Sequence, residues 1–381
     1  MRALVYEGPY RVRVAEKAEP SIEHPDDIVL RVTRAAICGS DLHLFHGLVP
    51  DTRVGTTFGH EFTGVVEEAG PGVRSLARGD RVVVPFNISC GTCFYCRRGL
   101  YGDCESSNPA NELACGVYGY SHTAGGYDGG QAEYVRVPFA DVGPMKIPDD
   151  LEDEDVLLLS DVLPTGYQGA EMGGIAEGDA VAVFGCGPVG LVAARSAFLL
   201  GATRVVAIDR VEARLRMAER WAGADTIDLR REKDPVTALK SWSGGRGPDV
   251  CIDAVGLEAS GSALQTLVGR KLKLAPGSAV ALDWAIHAVR KGGTVSVVGV
   301  YGPPANLVPI GVAMNKGLTL RMAQANVKRY MPHLLEHVRA GRLDGRALIT
   351  HRLPLERAAK AYELFDRKED GCVKCVLLPQ G

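Results

Sequence analysis

Four cysteines fall within fifteen residues of this chain, in CGTCFYCRRGLYGDC, 90–104. Cys90, Cys93 and Cys96 are spaced C-x2-C-x2-C and Cys104 follows after seven more residues, a set able to wrap one tetrahedral zinc. Four protein ligands leave no position for a substrate, so the function expected of this stretch is to staple a loop. An iron–sulfur cluster is the other reading of the same spacing. Chemistry needs an open metal, and a second constellation offers one. ICGSDLH, 37–43, and FGHEFTG, 58–64, supply Cys38, His43, His60 and Glu61. Thiolate plus imidazole suits zinc, and the glycines around His60 let the backbone turn tightly enough to present it. A lone Cys or His is more often a packed core residue; two compact glycine-flanked clusters shift that balance.

A third stretch, GCGPVG at 185–190, matches G-x-G-x-x-G with an apolar strand before it and an apolar helix after it. Gly185 permits the tight turn, Gly187 lets the backbone approach a pyrophosphate, and Gly190 lets helix and strand pack closely, while the helix N-terminus offers free amides to the anion. Asp209 ends the next strand, at about the ~20-residue interval where an acidic side chain grips the adenosine ribose hydroxyls. It repels a 2'-phosphate, which favours NAD over NADP; Arg210 beside it is the residue that could accommodate that phosphate. The bland alternatives are a plain turn for the glycines and a helix cap for Asp209.

These residues need two kinds of scaffold. From Met1 to about Asp161 the chain reads as short β-type runs broken by turns, such as DIVLRVTRAAIC, FTGVVEEAG and GDRVVVP. From about Leu163 strands and helices alternate, AVAVFG, Val189 to Leu200, RVVAID, Glu212 to Trp221, DVCIDAVG and GTVSVVGVYG, the signature of βαβ units on a parallel sheet. LTLRMAQ, 318–324, reads as the last parallel run. After it YMPHLLEHVRAG and ERAAKAYELFDR read as helices and CVKCVLL as a strand, a tail that returns to the first domain. The expected division is 1–162, 163–326 and 327–381. At 381 residues two domains are the natural expectation, and 46% hydrophobic with 23% charged residues describes an ordinary globular protein. A net charge of −3 gives no reason to expect nucleic acid or an anionic membrane as partner. The N-terminus lacks an apolar signal region, so a cytoplasmic location is expected, where disulfides are rare. The apolar stretch from Ala180 to Ala202 has the length of a membrane span, but its glycines, Pro188 and Arg195 fit a strand, a turn and a helix better.

At these residues the chain resembles the zinc-dependent medium-chain alcohol dehydrogenases over essentially its whole length, with GHE, the four-cysteine lobe and GCGPVG in that family's order. The resemblance implies an α/β protein with a GroES-like β-rich catalytic domain, a Rossmann domain with a doubly wound parallel sheet, and a cleft between them. It implies one catalytic and one structural Zn2+ per chain, NAD, a small alcohol or aldehyde substrate, and a homo-oligomer, a tetramer in preference to a dimer. Cys38 and His60 are similar to catalytic zinc ligands. Many members have a third ligand, a cysteine, just ahead of T-G-Y; here SDVLPTGYQG puts Asp161 in its place, which looks like the branch that includes glutathione-independent formaldehyde dehydrogenases. A helix cap is the alternative for Asp161. By the same resemblance Glu61 sits behind the metal, Asp41 orients the ligating histidine, Ser40 takes the alcohol proton and His43 passes it outward. Phe86 lines the substrate pocket, and Thr165 and Val189 pack the nicotinamide ring.

Two departures stand out. Gly39 occupies a position where some members carry a basic residue on the pyrophosphate, so that contact must come from elsewhere, with Lys374 as one candidate. The stretch between Gly256 and Ala285 is longer than a strand-to-helix connection requires but shorter than the insertion with which the formaldehyde dehydrogenase branch covers its cofactor and slows its release; a solvated surface loop is the other reading. Cys372 and Cys375 repeat the C-x2-C spacing, but strand periodicity points them to opposite faces, so no third metal is expected. Cys115, Cys186 and Cys251 read as small packed residues. The expected reaction is zinc-assisted oxidation of an alcohol with hydride transfer to NAD. Its rivals are a formaldehyde dismutase with tightly held NAD, a zinc-free quinone reductase, against which Cys38, His60 and the lobe count, and a nucleic-acid-binding zinc module, for which only Arg97 and Arg98 speak.

Overall fold

The computed structural model describes residues 1–110, 114–256, 279–301 and 308–380. The chain divides into two compact units: Met1–Pro164 with Gln324–Gly381, and Thr165–Ala323.

The first unit opens with the hairpin β1 (Arg2–Gly8) and β2 (Arg11–Glu16). Its main strands come next: β3 (Ile28–Ile37), β4 (Glu61–Ala69), β5 (Arg81–Val84), β6 (Asn87–Ile88), β7 (Gly116–Val117), β8 (Tyr134–Val137) and β9 (Met145–Lys146). Two short helices interrupt them, α1 (Gly39–Phe45) and α2 (Asp153–Val156). α3 (Val162–Met172) then leads into the second unit.

The second unit is a six-stranded parallel sheet flanked by helices. Its strands are β10 (Ala180–Phe184), β11 (Arg204–Asp209), β12 (Asp225–Asp228), β13 (Val250–Asp253), β14 (Thr294–Val297) and β15 (Thr319–Met322), in the order β12-β11-β10-β13-β14-β15. Between them lie α4 (Pro188–Leu199), α5 (Glu212–Met217), α6 (Pro235–Trp242), α7 (Val280–Ala288) and α8 (Ile310–Lys316). Central strands of such a sheet are covered on both faces, and β13 is buried throughout whereas the edge strand β15 is mostly exposed. The strand order reverses direction between β10 and β13, so a crevice opens there at the carboxyl ends of the strands.

The chain then returns to the first unit with α9 (Val327–Arg339), β16 (Ile349–Pro354), α10 (Ala358–Arg367) and β17 (Lys374–Leu378). β17 pairs antiparallel with β3, completing a seven-stranded sheet in the order β16-β17-β3-β4-β5-β9 with β8 on β3.

Two local readings change. The helix expected from Glu212 to Trp221 keeps α geometry over Glu212–Met217 and widens into a π-type turn at Ala218–Ala222. β17 begins at Lys374, so Cys372 lies ahead of the strand, and Cys372 and Cys375 are buried in one apolar cluster; strand alternation does not separate them. The insertion expected between Gly256 and Ala285 falls largely at 257–278, outside the described residues. The apolar stretch from Ala180 to Ala202 is shared among β10, the glycine turn and α4, and no helix among the described residues is long and apolar enough to cross a membrane.

Candidate functional site

The first unit brings Cys38, His60, Glu61 and Asp161 together, with one ligand atom from each lying within 4.8 Å of all the others. Cys38 is the N-cap of α1, His60 immediately precedes β4, Glu61 is the first residue of β4, and Asp161 immediately precedes α3. Gly59, at φ +100°, makes the approach of His60 possible: a Cβ there would fall 2.4 Å from Gln131 Cγ. Asp161 Oδ2 lies 3.5 Å from Cys38 Sγ and 3.3 Å from His60 Nε2. Ser40 Oγ is 3.4 Å from the same His60 nitrogen. The other nitrogen, Nδ1, lies 3.1 Å from Asp41, which aims Nε2 at the cluster.

Asp41 is itself held. The Cys38 backbone N–H and the Gln131 amide donate to it at 3.0 and 3.2 Å, and Gln131 in turn accepts the Tyr362 hydroxyl at 2.8 Å. His43, one turn beyond Ser40 on α1, is buried. The Phe86 ring stands edge-on to His60, centroids 5.8 Å apart. Neither Gln131 nor Tyr362 is legible in the sequence, because nothing in the chain near them marks a metal site.

Lys374 differs from expectation. It is wholly buried, and its ammonium donates to Glu61 rather than remaining available as the free cation that a pyrophosphate contact needs. The other Glu61 oxygen, Oε2, has no hydrogen-bond partner among the described residues.

The electrostatics of the cluster are those of a site built for a cation. Burial, with Asp161 and Glu61 nearby, raises the Cys38 thiol pKa. Burial also raises Glu61, against the pull of Lys374. Burial opposes protonation of His60, but Asp41, Cys38 and Asp161 outweigh it and raise its pKa well above the usual range. A soft thiolate, an imidazole and carboxylates in this proximity fit zinc.

In the lobe Cys90, Cys93, Cys96 and Cys104 are all buried with their sulfurs within 4.8 Å of one another. Cys93 and Cys104 sulfurs are 4.0 Å apart, too far for a disulfide, and all ten cysteines are free thiols. Backbone N–H groups point at the sulfurs: Cys90 to Cys104 and Cys93 to Cys90 at 3.3 Å, Cys96 to Cys93 at 3.4 Å. Burial opposes it, but hydrogen bonds from Ser106, Thr92 and Cys93 hold the Cys90 thiol down to about 6, while burial pushes Cys96 and Cys104 up. Cys115 packs beside them and accepts from Asn87 at 3.6 Å.

In the second unit Gly185 turns at φ +90° after β10, Gly187 is the N-cap of α4 and Pro188 its first residue. A Cβ on Gly190 would lie 1.8 Å from the Gly185 carbonyl oxygen, so no side chain fits there. α3 packs on this helix through Gly166, whose Cβ would meet the Val189 carbonyl at 2.7 Å; Thr165 is the residue before it on α3. Asp209 accepts from the Cys186, Arg210 and Val211 backbone N–H groups at 2.7, 2.6 and 2.9 Å, which ties the end of β11 to the turn. Sequence reasoning missed Arg214 on α5. It is buried, its Nε has no hydrogen-bond partner among the described residues, and its Nη1 lies 3.7 Å from where a Gly187 Cβ would be.

A β-rich unit carrying two cysteine-based ligand sets, joined in one chain to a unit with a dinucleotide-type sheet, defines a zinc-type dehydrogenase. The family description for the alcohol dehydrogenase GroES-like domain matches residues 24–149, and that for zinc-binding dehydrogenases matches 188–270. The chain belongs to the zinc-type alcohol dehydrogenase family. It is 44% identical to the zinc-type alcohol dehydrogenase-like protein AdhB of Bacillus subtilis (strain 168), over 100% of both chains. It superposes on alcohol dehydrogenase TADH from Thermus sp. ATN1 with a TM-score of 0.85 and 42% identity, covering 99% of each chain. It is 34% identical to the glutathione-independent formaldehyde dehydrogenase of Pseudomonas aeruginosa (strain LESB58), over 96% of this chain and 94% of that one.

Proposed function

We propose that the protein oxidises an alcohol, or the hydrate of a small aldehyde, to the carbonyl compound with hydride transfer to NAD, and runs the reverse reduction by the same steps. The observation that carries this reading is the meeting of Cys38, His60 and Asp161 with a free Glu61 oxygen alongside. Cys38, His60 and Asp161 would hold zinc, and thiolate and carboxylate together balance its charge. When bound, zinc supplies a Lewis acid for the substrate hydroxyl. Asp41 fixes the ring that presents His60 Nε2, and the Gln131–Tyr362 pair fixes Asp41. Ser40, 3.4 Å from that nitrogen, takes the hydroxyl proton and passes it toward His43. The two electrons of the carbinol C–H bond leave as hydride to the nicotinamide ring. Phe86 supplies an apolar wall against His60.

The cofactor reading rests on the glycine turn and Asp209. Asp209, at the end of β11, disfavours a 2'-phosphate and supports NAD. Lys374 is engaged by Glu61, and Arg214 is the cation we assign to the cofactor phosphates at Gly187. The lobe cysteines, Cys90, Cys93, Cys96 and Cys104, would hold the structural zinc. Asp161 and the likeness to the formaldehyde dehydrogenase of P. aeruginosa favour a small aldehyde hydrate among the substrates.

The test gives purified, zinc-replete protein a panel of primary alcohols and formaldehyde, with and without added NAD or NADP, and follows reduced-nicotinamide absorbance. Reduced cofactor accumulating only with added NAD is the expected result. Formaldehyde consumed without added cofactor and without accumulated NADH replaces it by dismutation; no turnover of any alcohol or aldehyde with either cofactor overturns the reading.

A further inference from the structure

At the carboxyl end of β13, Asp253 is wholly buried, and its carboxylate is surrounded by donors. The Tyr301 hydroxyl reaches Oδ2 at 2.5 Å, and the Val255 and Gly256 N–H groups reach Oδ1 at 2.9 and 3.4 Å. Its backbone carbonyl accepts from Val298 and Gly299, both at 2.9 Å. One residue thus binds the chain leaving β13 to the chain leaving β14. The two segments touch closely: a Cβ on Gly299 would fall 2.3 Å from Gly256 N, and one on Gly256, at φ +59°, 2.4 Å from Val300 N.

The place of this junction gives it meaning. Phe184, the last residue of β10, pairs with Ile208 on one side and with Asp253 on the other, across the point where the strand order reverses. Asp209 therefore stands at the end of the strand on one side of that point and Asp253 at the end of the strand on the other. A dinucleotide whose ribose lies at Asp209 and whose pyrophosphate lies at Gly187 continues over the β13 and β14 ends. Val255 already leans on the turn, its Cγ2 2.8 Å from where a Gly185 Cβ would be. Val300, beside Tyr301, leaves 43% of its surface exposed, an apolar face suited to an aromatic ring.

We propose that the Tyr301–Asp253 pair is a positioning device for the nicotinamide half of the dinucleotide, holding Val255 and Val300 as the apolar surface on which the ring seats. The pair does not touch the reacting atoms; it acts through the two valines. A structural junction alone is served by the backbone hydrogen bonds to the Asp253 carbonyl, whereas the buried carboxylate adds a fixed anchor for the Tyr301 side chain. The proposal rests on the reading of the second unit as a dinucleotide site.

The experiment measures binding of NADH and of ADP-ribose, which lacks the nicotinamide, to zinc-loaded wild type and Tyr301→Phe, by fluorescence and competition, with Asp253→Asn as a second variant. Tyr301→Phe removes one hydrogen bond to a charged group and leaves the backbone donors in place. It is expected to weaken NADH about ten-fold while ADP-ribose changes less than about two-fold, and to raise KM for NAD more than it lowers kcat. Equal losses for both ligands, which a general fold defect produces, overturn the proposal, as does unchanged NADH affinity. A wild type that binds NADH and ADP-ribose keeps the dinucleotide reading intact whatever the variants do; a wild type that binds neither removes that reading.

Discussion

The cysteine lobe and the Cys38–His60–Asp161 cluster both gather metal-type ligands in buried ground, and they do so in opposite ways. The lobe draws four like ligands from fifteen consecutive residues and steadies their sulfurs with backbone N–H groups of the same loop. The cluster draws unlike ligands from positions 38, 60, 61 and 161, and steadies them with side chains from elsewhere: Asp41, Gln131, Tyr362 and Lys374. A closed set needs only its own loop. An open set, which must keep a position for substrate, depends on outlying partners to stop its ligands from collapsing onto one another.

That contrast breaks most visibly under single substitutions. Cys93→Ser is expected to lose one zinc per chain and to lower Tm by roughly 10 °C or more, because it removes one of the four sulfurs around which the loop is folded; metal analysis with thermal denaturation checks it. Cys38→Ala should do the reverse, cutting kcat/KM by about 10³-fold or more while the lobe keeps its zinc and Tm moves little. Should both variants behave alike, the division into stapling and working sites is wrong.

Lys374→Met sharpens the same comparison. It leaves Glu61 buried without its cation, a loss of about 3 kcal/mol in denaturant unfolding, and the lobe's zinc should remain bound. The smallest expected effect lies outside both sites. Burial works against it, but Arg352 and Arg34 hold the Glu154 carboxyl below its usual range. A depressed folded-state value adds stability that is complete above the unfolded value of about 4.3 and fades as the pH falls through the folded one. Glu154→Gln should therefore cost about 1 kcal/mol at pH 7, with the gap to the parent closing below about pH 4.

What the sequence reveals depends on how local each feature is. The lobe, the glycine turn and Asp209 are legible because their spacing is the geometry: ligands three residues apart, or a turn between one strand and one helix. Cys38 and His60 are legible through their glycine neighbours, Asp161 only through the family resemblance. Lys374 on Glu61, Tyr362 on Gln131 and Tyr301 on Asp253 are not legible, since each joins residues far apart in the chain whose meeting depends on completed sheets. Arg214 escaped notice because an arginine on a short helix looks like a solvated charge until its burial is known.

The discontinuity of the first unit has a temporal side. The second unit, Thr165–Ala323, is continuous, and all six strands of its sheet are synthesised before residue 330. The first unit cannot close its sheet until β17 arrives beside β3, more than 300 residues after that partner was made. Lys374 travels on that last strand. During synthesis the dinucleotide fold is therefore able to mature first, while Glu61 waits without its cation for nearly the whole of translation, so nascent chains stalled before β17 present a finished second unit and an unfinished metal site.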